Sequence, residues 1–444
     1  MSIRKIENAG DRARRKWWNI GDGNESQYEL GPDILSGETT TGINAAGTAL
    51  VDLLGTDSSD MLRIGGSLFS PVRAPIVLRV QPNASQATAF PFHIKSALVS
   101  PTEIDSISCT FDTADGAANT GWITKEGAGV APGAGVSVQT GTFDLNATAN
   151  TVQNAAIPVR GTAACSLAPG DQLTFNIATA VTSLKGLVVV VFFKQHGSIP
   201  PASVYLNANG AIATKTFYLN VIPGTTIAAV SMRWSTAGTN GSAVTADVTK
   251  DTGTSVPGGG TTILAAAQSV KGAANTTVYP ALSATASVLQ MAAGDRLALK
   301  MTGTLTALAG LVVTVSFGPG IWRELVIQDP HLLNQAVDQT MFIADSFYEV
   351  LDIWGTWSTV STSVTNLITK DGGTTAPGAG TGLLTDNTNA GFLTSGTINT
   401  PIEGTLVAAK PSLILSPGDR LGSKNGGTAA SLAGLVTAVR LRKL

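Results

Sequence analysis

The stretch GLVVVVFFKQ at residues 186–195 returns as GLVVTVSFGP at 310–319 and as GLVTAVRLRK at 434–443. Each copy opens on glycine and then runs apolar with little alternation. β-Branched and aromatic residues in such a run suit a strand covered on both faces or central in a sandwich. Two residues ahead of each glycine stands a leucine, so the full signature is Leu184-Lys-Gly186-Leu187-Val188, Leu308-Ala-Gly310-Leu311-Val312 and Leu432-Ala-Gly434-Leu435-Val436.

Upstream text repeats in step. Gly170-Asp171-Gln172-Leu173, Gly294-Asp295-Arg296-Leu297 and Gly418-Asp419-Arg420-Leu421 each begin 16 residues before the glycine of the apolar run. Farther back lie Lys125-Glu126, Lys250-Asp251 and Lys370-Asp371, each with a Pro-Gly-x-Gly loop whose proline (Pro132, Pro257, Pro377) follows the lysine by 7. Chance does not give equal spacings three times, so the chain is an internal threefold repeat. Counting 16 back from the lysines reaches Cys109, Trp234 and Trp354, which predicts that these three are equivalent. The strand before them alternates: Ala228, Val230, Met232 and Trp234 share a face, as do Tyr348, Val350, Asp352 and Trp354, whereas Ile104 and Ile107 break parity.

Each block holds short apolar segments parted by Gly, Pro, Asn and Asp. In the first they are Ile104–Phe111, Trp122–Lys125, Gly141–Leu145, Ile157–Arg160, Leu173–Ile177 and Gly186–Phe193. With no βαβ rhythm, this predicts an all-β chain of three tandem antiparallel β-sandwich modules, jelly-roll-like, preceded by an extended N-terminal arm. The expected limits are an arm at 1–90 and modules at 91–200, 217–320 and 340–444. Pro200-Pro201 and Gly318-Pro319-Gly320 stop strands between modules, and 321–340 reads as the one short helical stretch outside the arm.

Composition narrows the function. Charged residues are 13% of the chain against a usual value of about 25%. Hydrophobic residues at 43% supply enough apolar surface to fold. A net charge of -2 speaks against a globally basic nucleic-acid binder. Two cysteines cannot build a disulfide framework, and three histidines without a Cys/His cluster offer no transition-metal site. No run reaches the roughly 18 apolar residues of a membrane span. The N-terminus lacks the apolar core of a secretory signal. Within residues 1–18, six basic side chains against two acidic ones leave a net +4, and Trp17 and Trp18 follow at once. Arg12, Arg14, Arg15, Lys16, Trp17 and Trp18 are therefore the expected partner-binding residues, since a Trp pair is costly to leave in water.

The repeated polar residues read as shape, not chemistry. Gly-Asp before a strand is a turn whose carboxylate bonds nearby amides. The Pro-Gly-x-Gly loops lack the Lys-Ser/Thr of a phosphate loop. Cys109 and Cys165 occupy apolar slots as buried thiols, with a disulfide between them left open by spacing. His93, His196 and His331 stand outside the repeated motifs, and no module holds a His beside a nucleophile and an orienting acid. No catalytic residue, metal or cofactor is expected.

Tandem modules bearing LSPGDRL (Leu415–Leu421) and SLAGLVTAV (Ser431–Val439) resemble the virion structural proteins of tailed bacteriophages. The resemblance spans about residues 90–444 as a style of module. It implies a non-enzymatic virion protein, foremost a capsid decoration (cement) protein, with the arm as attachment segment. The partners implied are the major capsid protein or another virion protein, and further copies of the chain in a homo-oligomer, by the resemblance a trimer. The alternative is a tail or fibre component binding host-surface glycans. A cellular adhesion protein fits less well without a signal sequence.

Overall fold

The computed structural model describes residues 62–64, 67–69 and most of 74–444. The segments 81–88, 96–101, 159–161, 195–200, 209–213, 319–323, 332–338, 360–364, 386–390, 394–396 and 427–433, and a few other loop positions, fall outside the described residues. The chain divides into two units, Met1–Pro71 and Val72–Leu444. In the first, Leu62–Ile64 and Ser67–Phe69 pair as an antiparallel hairpin. The second holds six antiparallel sheets, which pair into three sandwiches.

Every sandwich uses eight strands in one order. In the first they are Ala74–Val80, Ala89–Ile94, Thr102–Thr110, Thr120–Glu126, Val136–Ser137, Ser166–Leu167, Gln172–Ile177 and Leu187–Lys194. The second has Ala202–Ala208, Lys215–Leu219, Thr225–Arg233, Thr245–Asp251, Thr261–Thr262, Gln290–Met291, Arg296–Thr302 and Ala309–Phe317. The third has Glu324–His331, Gln339–Ile343, Tyr348–Thr356, Thr365–Asp371, Thr381–Gly382, Ile414–Leu415, Arg420–Gly426 and Leu435–Lys443. Numbered one to eight, the two sheets of each sandwich read 1-8-3-6 and 2-7-4-5. Strand 1 thus pairs with 8, 2 with 7, 3 with 6 and 4 with 5, which is one long antiparallel hairpin rolled up. That is the jelly roll.

The repeated Gly-Leu-Val apolar run is strand 8, and it is covered on both faces. Leu187 through Phe193 are each at most 3% exposed. Leu187, Val189, Val191 and Phe193 fill their own sandwich, while Val188, Val190 and Phe192 enter the core of the third. Val436 and Ala438, from strand 8 of the third sandwich, enter the core of the second. On the second sandwich, Tyr205 packs against the core of the first. Each 1-8-3-6 sheet therefore lays its outer face on strand 2 of a neighbour: first on third, third on second, second on first. The ring closes. Strand 1 of all three sandwiches lines one central cavity of ≈ 140 Å³, with Ile76, Leu78, Val204 and Ile327 among its walls.

Strand 2 is a sheet edge in every sandwich, and the neighbour satisfies its free backbone groups. The Ile94 amide donates to Thr314 Oγ1 at 3.2 Å. Leu219 N donates to Gln328 Oε1 at 2.9 Å, and Gln328 Nε2 returns a bond to Leu219 O at 2.7 Å. The Arg79 guanidinium donates to Met341 O.

Several sequence expectations change here. Strand 1 lies upstream of the residue limits drawn from the repeated motifs, at Ala74–Val80, Ala202–Ala208 and Glu324–His331. The stretch expected as helical is thus a strand: Glu324–His331 pairs with Arg442 through Leu435, because Leu325, Val326 and Ile327 are all buried, one face in each of two cores. Ile157 and Pro158 lie outside any strand, and pairing occurs instead at Gln153–Asn154. Strand 3 carries a β-bulge in all three copies, at Asp105, Ala228 and Leu351, so side-chain parity shifts midway. This explains Ile104 and Ile107, and it breaks the single face expected through Trp354.

The equivalence of Cys109, Trp234 and Trp354 also fails. Phe111, Trp234 and Trp357 carry the carbonyls that accept the amides of Asn150, Asn275 and Asn399, at 2.8, 2.8 and 2.7 Å. These asparagines share φ of 60°, 58° and 54°. The loop between strands 3 and 4 differs in length among copies, so counting back across it loses register.

Gly310 shows why strand 8 opens on glycine. Its φ is +62°, and a Cβ there would stand 2.2 Å from Ser235 Oγ. Gly310→Ala is expected to lower the unfolding free energy by about 1–3 kcal/mol, read as a shift of the urea midpoint at unchanged slope. An unchanged midpoint would show that the loop adapts.

Candidate functional site

Strand 4 ends on Thr-Lys-acid in every copy: Thr124-Lys125-Glu126, Thr249-Lys250-Asp251 and Thr369-Lys370-Asp371. Alternation sends the lysine and the acid to opposite faces. The lysines cap the chain entering strand 6. Lys125 Nζ donates to Ala163 O and Ser166 O at 2.5 and 2.7 Å, Lys250 Nζ to Ser287 O and Gln290 O at 2.8 Å each, and Lys370 Nζ to Ile414 O at 3.0 Å.

The acids turn inward and are fully buried. Asp251 accepts the Gly258 and Gly260 amides at 2.9 Å each and Thr249 Oγ1 at 3.0 Å. Asp371 accepts Gly378 and Gly380 at 3.2 and 2.9 Å and Thr369 Oγ1 at 2.8 Å. Glu126 accepts Gly133 N at 3.0 Å, Thr174 Oγ1 at 2.7 Å and the Thr124 hydroxyl. Each carboxylate thus ties its Pro-Gly-x-Gly loop to the sheet. Burial pushes the Asp251 and Asp371 carboxyls up from the ordinary range, against the loop amides, the threonine and a nearby arginine, which favour the anion.

That arginine is absent from the shared signature because copy one lacks it. Arg296 Nη2 donates to Gly253 O and Ser255 O at 2.9 and 3.0 Å, and Arg420 Nη2 to Gly373 O and Thr375 O at 3.1 and 2.5 Å. Gln172 takes their place in the first sandwich, buried, with neither amide atom hydrogen-bonded. The cation arrives instead from the neighbour: Arg233, at the end of strand 3 in the second sandwich, donates to Glu126 O, Gly127 O and Val130 O at 3.3, 3.1 and 2.5 Å. Arg233→Ala is expected to cost about 3–5 kcal/mol, since it leaves Glu126 buried without its cation. Adding Gln172→Arg should restore at least half of that loss in urea unfolding. A double variant no better than the single would show that position 172 cannot reach the loop.

The turn before strand 7 is as expected. Asp171, Asp295 and Asp419 accept the amides of Ala168, Ala292 and Ser416 through Oδ2, at 2.9, 2.8 and 2.8 Å. Cys109 and Cys165 are free and buried, so the disulfide left open by spacing does not form; burial pushes the Cys109 thiol up. His93 is buried against Phe193, and burial, with Lys95 beside it, lowers its pKa to about 3. It stays neutral. Among the described residues no group of three or more His, Cys, Asp or Glu is placed to hold a metal ion, and no helix is long and apolar enough to cross a membrane.

Asp352, placed by alternation on one face with Tyr348 and Val350, is the partner of Arg440 at 2.8 Å. Burial raises its pKa to about 6, with Arg440 opposing and Glu403 and Glu324 adding. The unfolded carboxyl loses its proton near ~3.9. Between these values the folded chain binds the extra proton, so this residue's contribution to stability falls as pH rises from about 4 to about 6. Asp352→Asn should gain on the wild type in melting temperature across that window; parallel pH profiles would refute it.

Arg12, Arg14, Arg15, Lys16, Trp17 and Trp18 lie outside the described residues, as do Trp322 and His196. Of the described indoles, Trp234 and Trp357 are buried, Trp354 packs against the core of the second sandwich, and Trp122 is half-buried.

No protein-family model matches the chain, and no curated protein matches it. Among solved structures, the major capsid protein P2 from bacteriophage PM2 aligns over 56% of this chain and 98% of its own, at 12% identity and TM-score 0.18. The infectious bursal disease virus VP2 subviral particle aligns over 88% and 83%, at 8% identity and TM-score 0.15. The Gx strain of that virus aligns over 84% and 80%, at 8% identity and TM-score 0.16.

Proposed function

We propose that this chain is a non-enzymatic structural protein of a virion, a capsid decoration protein that attaches through its N-terminal arm. The observation that carries this reading is the use made of the repeated polar side chains. The three lysines, the three strand-4 acids and the three turn aspartates all spend their hydrogen bonds on their own loops, so the features common to the copies serve shape. Jelly rolls used for shape recur in viral shells. The arm carries +4 and two indoles, the composition of a segment that buries apolar area against an acidic surface. At roughly 25 cal/mol per Å², such burial would reinforce a shell, less the cost of ordering the arm. The glycan-binding alternative needs exposed aromatic platforms, and Trp234, Trp354 and Trp357 are committed to packing.

Deleting residues 1–18 is expected to abolish binding to the particle while the circular dichroism of the sandwiches stays unchanged. Undiminished occupancy on the particle would overturn the role given to the arm.

A further inference from the structure

We propose that one chain does the work of a homotrimer: its three Pro-Gly loops form one composite surface that docks on a threefold axis of a protein partner. The inference deepens the virion reading and rests on it for where that partner is found.

Head-to-tail interfaces make a ring when the rotation closes, and here the ring closes within one chain. Each 1-8-3-6 sheet already lies on strand 2 of a neighbour, through Val188, Val190 and Phe192, through Val436 and Ala438, and through Thr314. Among the described residues, all three outer faces of this type are already covered from within the chain. Because the same contacts relate the modules, equivalent loops face the same side of the ring. The loops 127–136 (GAGVAPGAGV), 252–261 (TGTSVPGGGT) and 372–381 (GGTTAPGAGT) contain no charged residue. Ala131, Val256 and Ala376 stand at equivalent, exposed positions on them, Val256 at 59%. Such a surface suits an uncharged protein face and offers nothing to phosphates. The buried carboxylates hold the loops in place beforehand, so little ordering is lost on docking. Three equal contacts around an axis engage together only where the partner repeats three times, and then each multiplies the others.

The test uses phage heads prepared without the protein, the purified full chain, and the charge-bearing variant Ala131→Glu/Val256→Glu/Ala376→Glu. The chain is expected at 45.3 kDa in solution by mass photometry. Electron cryomicroscopy should place one chain per threefold axis. The triple variant, matched to wild type in circular dichroism, should bind about a hundredfold more weakly, and each single variant several-fold. A solution mass three times larger, off-axis density, or wild-type binding by the triple variant would overturn this inference while leaving the virion reading intact. If the wild-type chain does not bind heads at all, the virion reading falls and takes this inference with it.

Discussion

Ending the chain at residue 320, which removes the third sandwich, is expected to abolish cooperative unfolding of the two that remain. The reason lies in shared cores. Val326, Val436 and Ala438 of the third sandwich are part of the second sandwich's core, and Val188, Val190 and Phe192 of the first are buried in the third. At about 1.5–3 kcal/mol for each large apolar side chain buried, losing these contacts removes on the order of 10 kcal/mol. A whole domain is stable by only about 5–15 kcal/mol. The Leu219 backbone would also lose both bonds to Gln328. Urea unfolding followed by circular dichroism reads this directly. A truncated chain with a sharp transition at the midpoint of the intact protein would show that the sandwiches are independent beads.

Asp371→Ala should cost about 3–5 kcal/mol, as much as the loss of any other loop anchor. It strips the acceptor from the Gly378 and Gly380 amides and from Thr369 Oγ1, and it removes a carboxylate that favours the charged form of buried Arg420. Buried donors left without partners cost about 1–3 kcal/mol each, which sets the scale. Asp371→Asn keeps the volume but not the charge and should fall between. Urea midpoints at constant slope give the comparison. A loss under about 1 kcal/mol would place this carboxylate with ordinary surface positions.

How far the repeated text carried differs from element to element. Strand 8 was legible because its apolar run is continuous, and both of its faces proved to be covered. The Gly-Asp turn was legible because its hydrogen bond closes over three residues. Strand 1 was not, since Ala74–Val80, Ala202–Ala208 and Glu324–His331 share no motif and owe their state to pairing with strand 8, more than 100 residues away along the chain. Trp357 was missed in favour of Trp354 because spacing was counted across a loop of variable length. The arginine that completes each loop was missed for a different cause. Copy one has Gln172, and the cation comes from Arg233 across a module boundary, which no alignment of the copies reveals.

The sequence by itself determined the repeat, the all-β class and the local turns, because each depends on residues close together in the chain, where spacing and side-chain type are sufficient. The tertiary structure decided the 1-8-3-6 and 2-7-4-5 sheet order and the closing of three sandwiches into a ring. An apolar face records only that something must cover it. Which strand does so depends on the geometry of the whole ring.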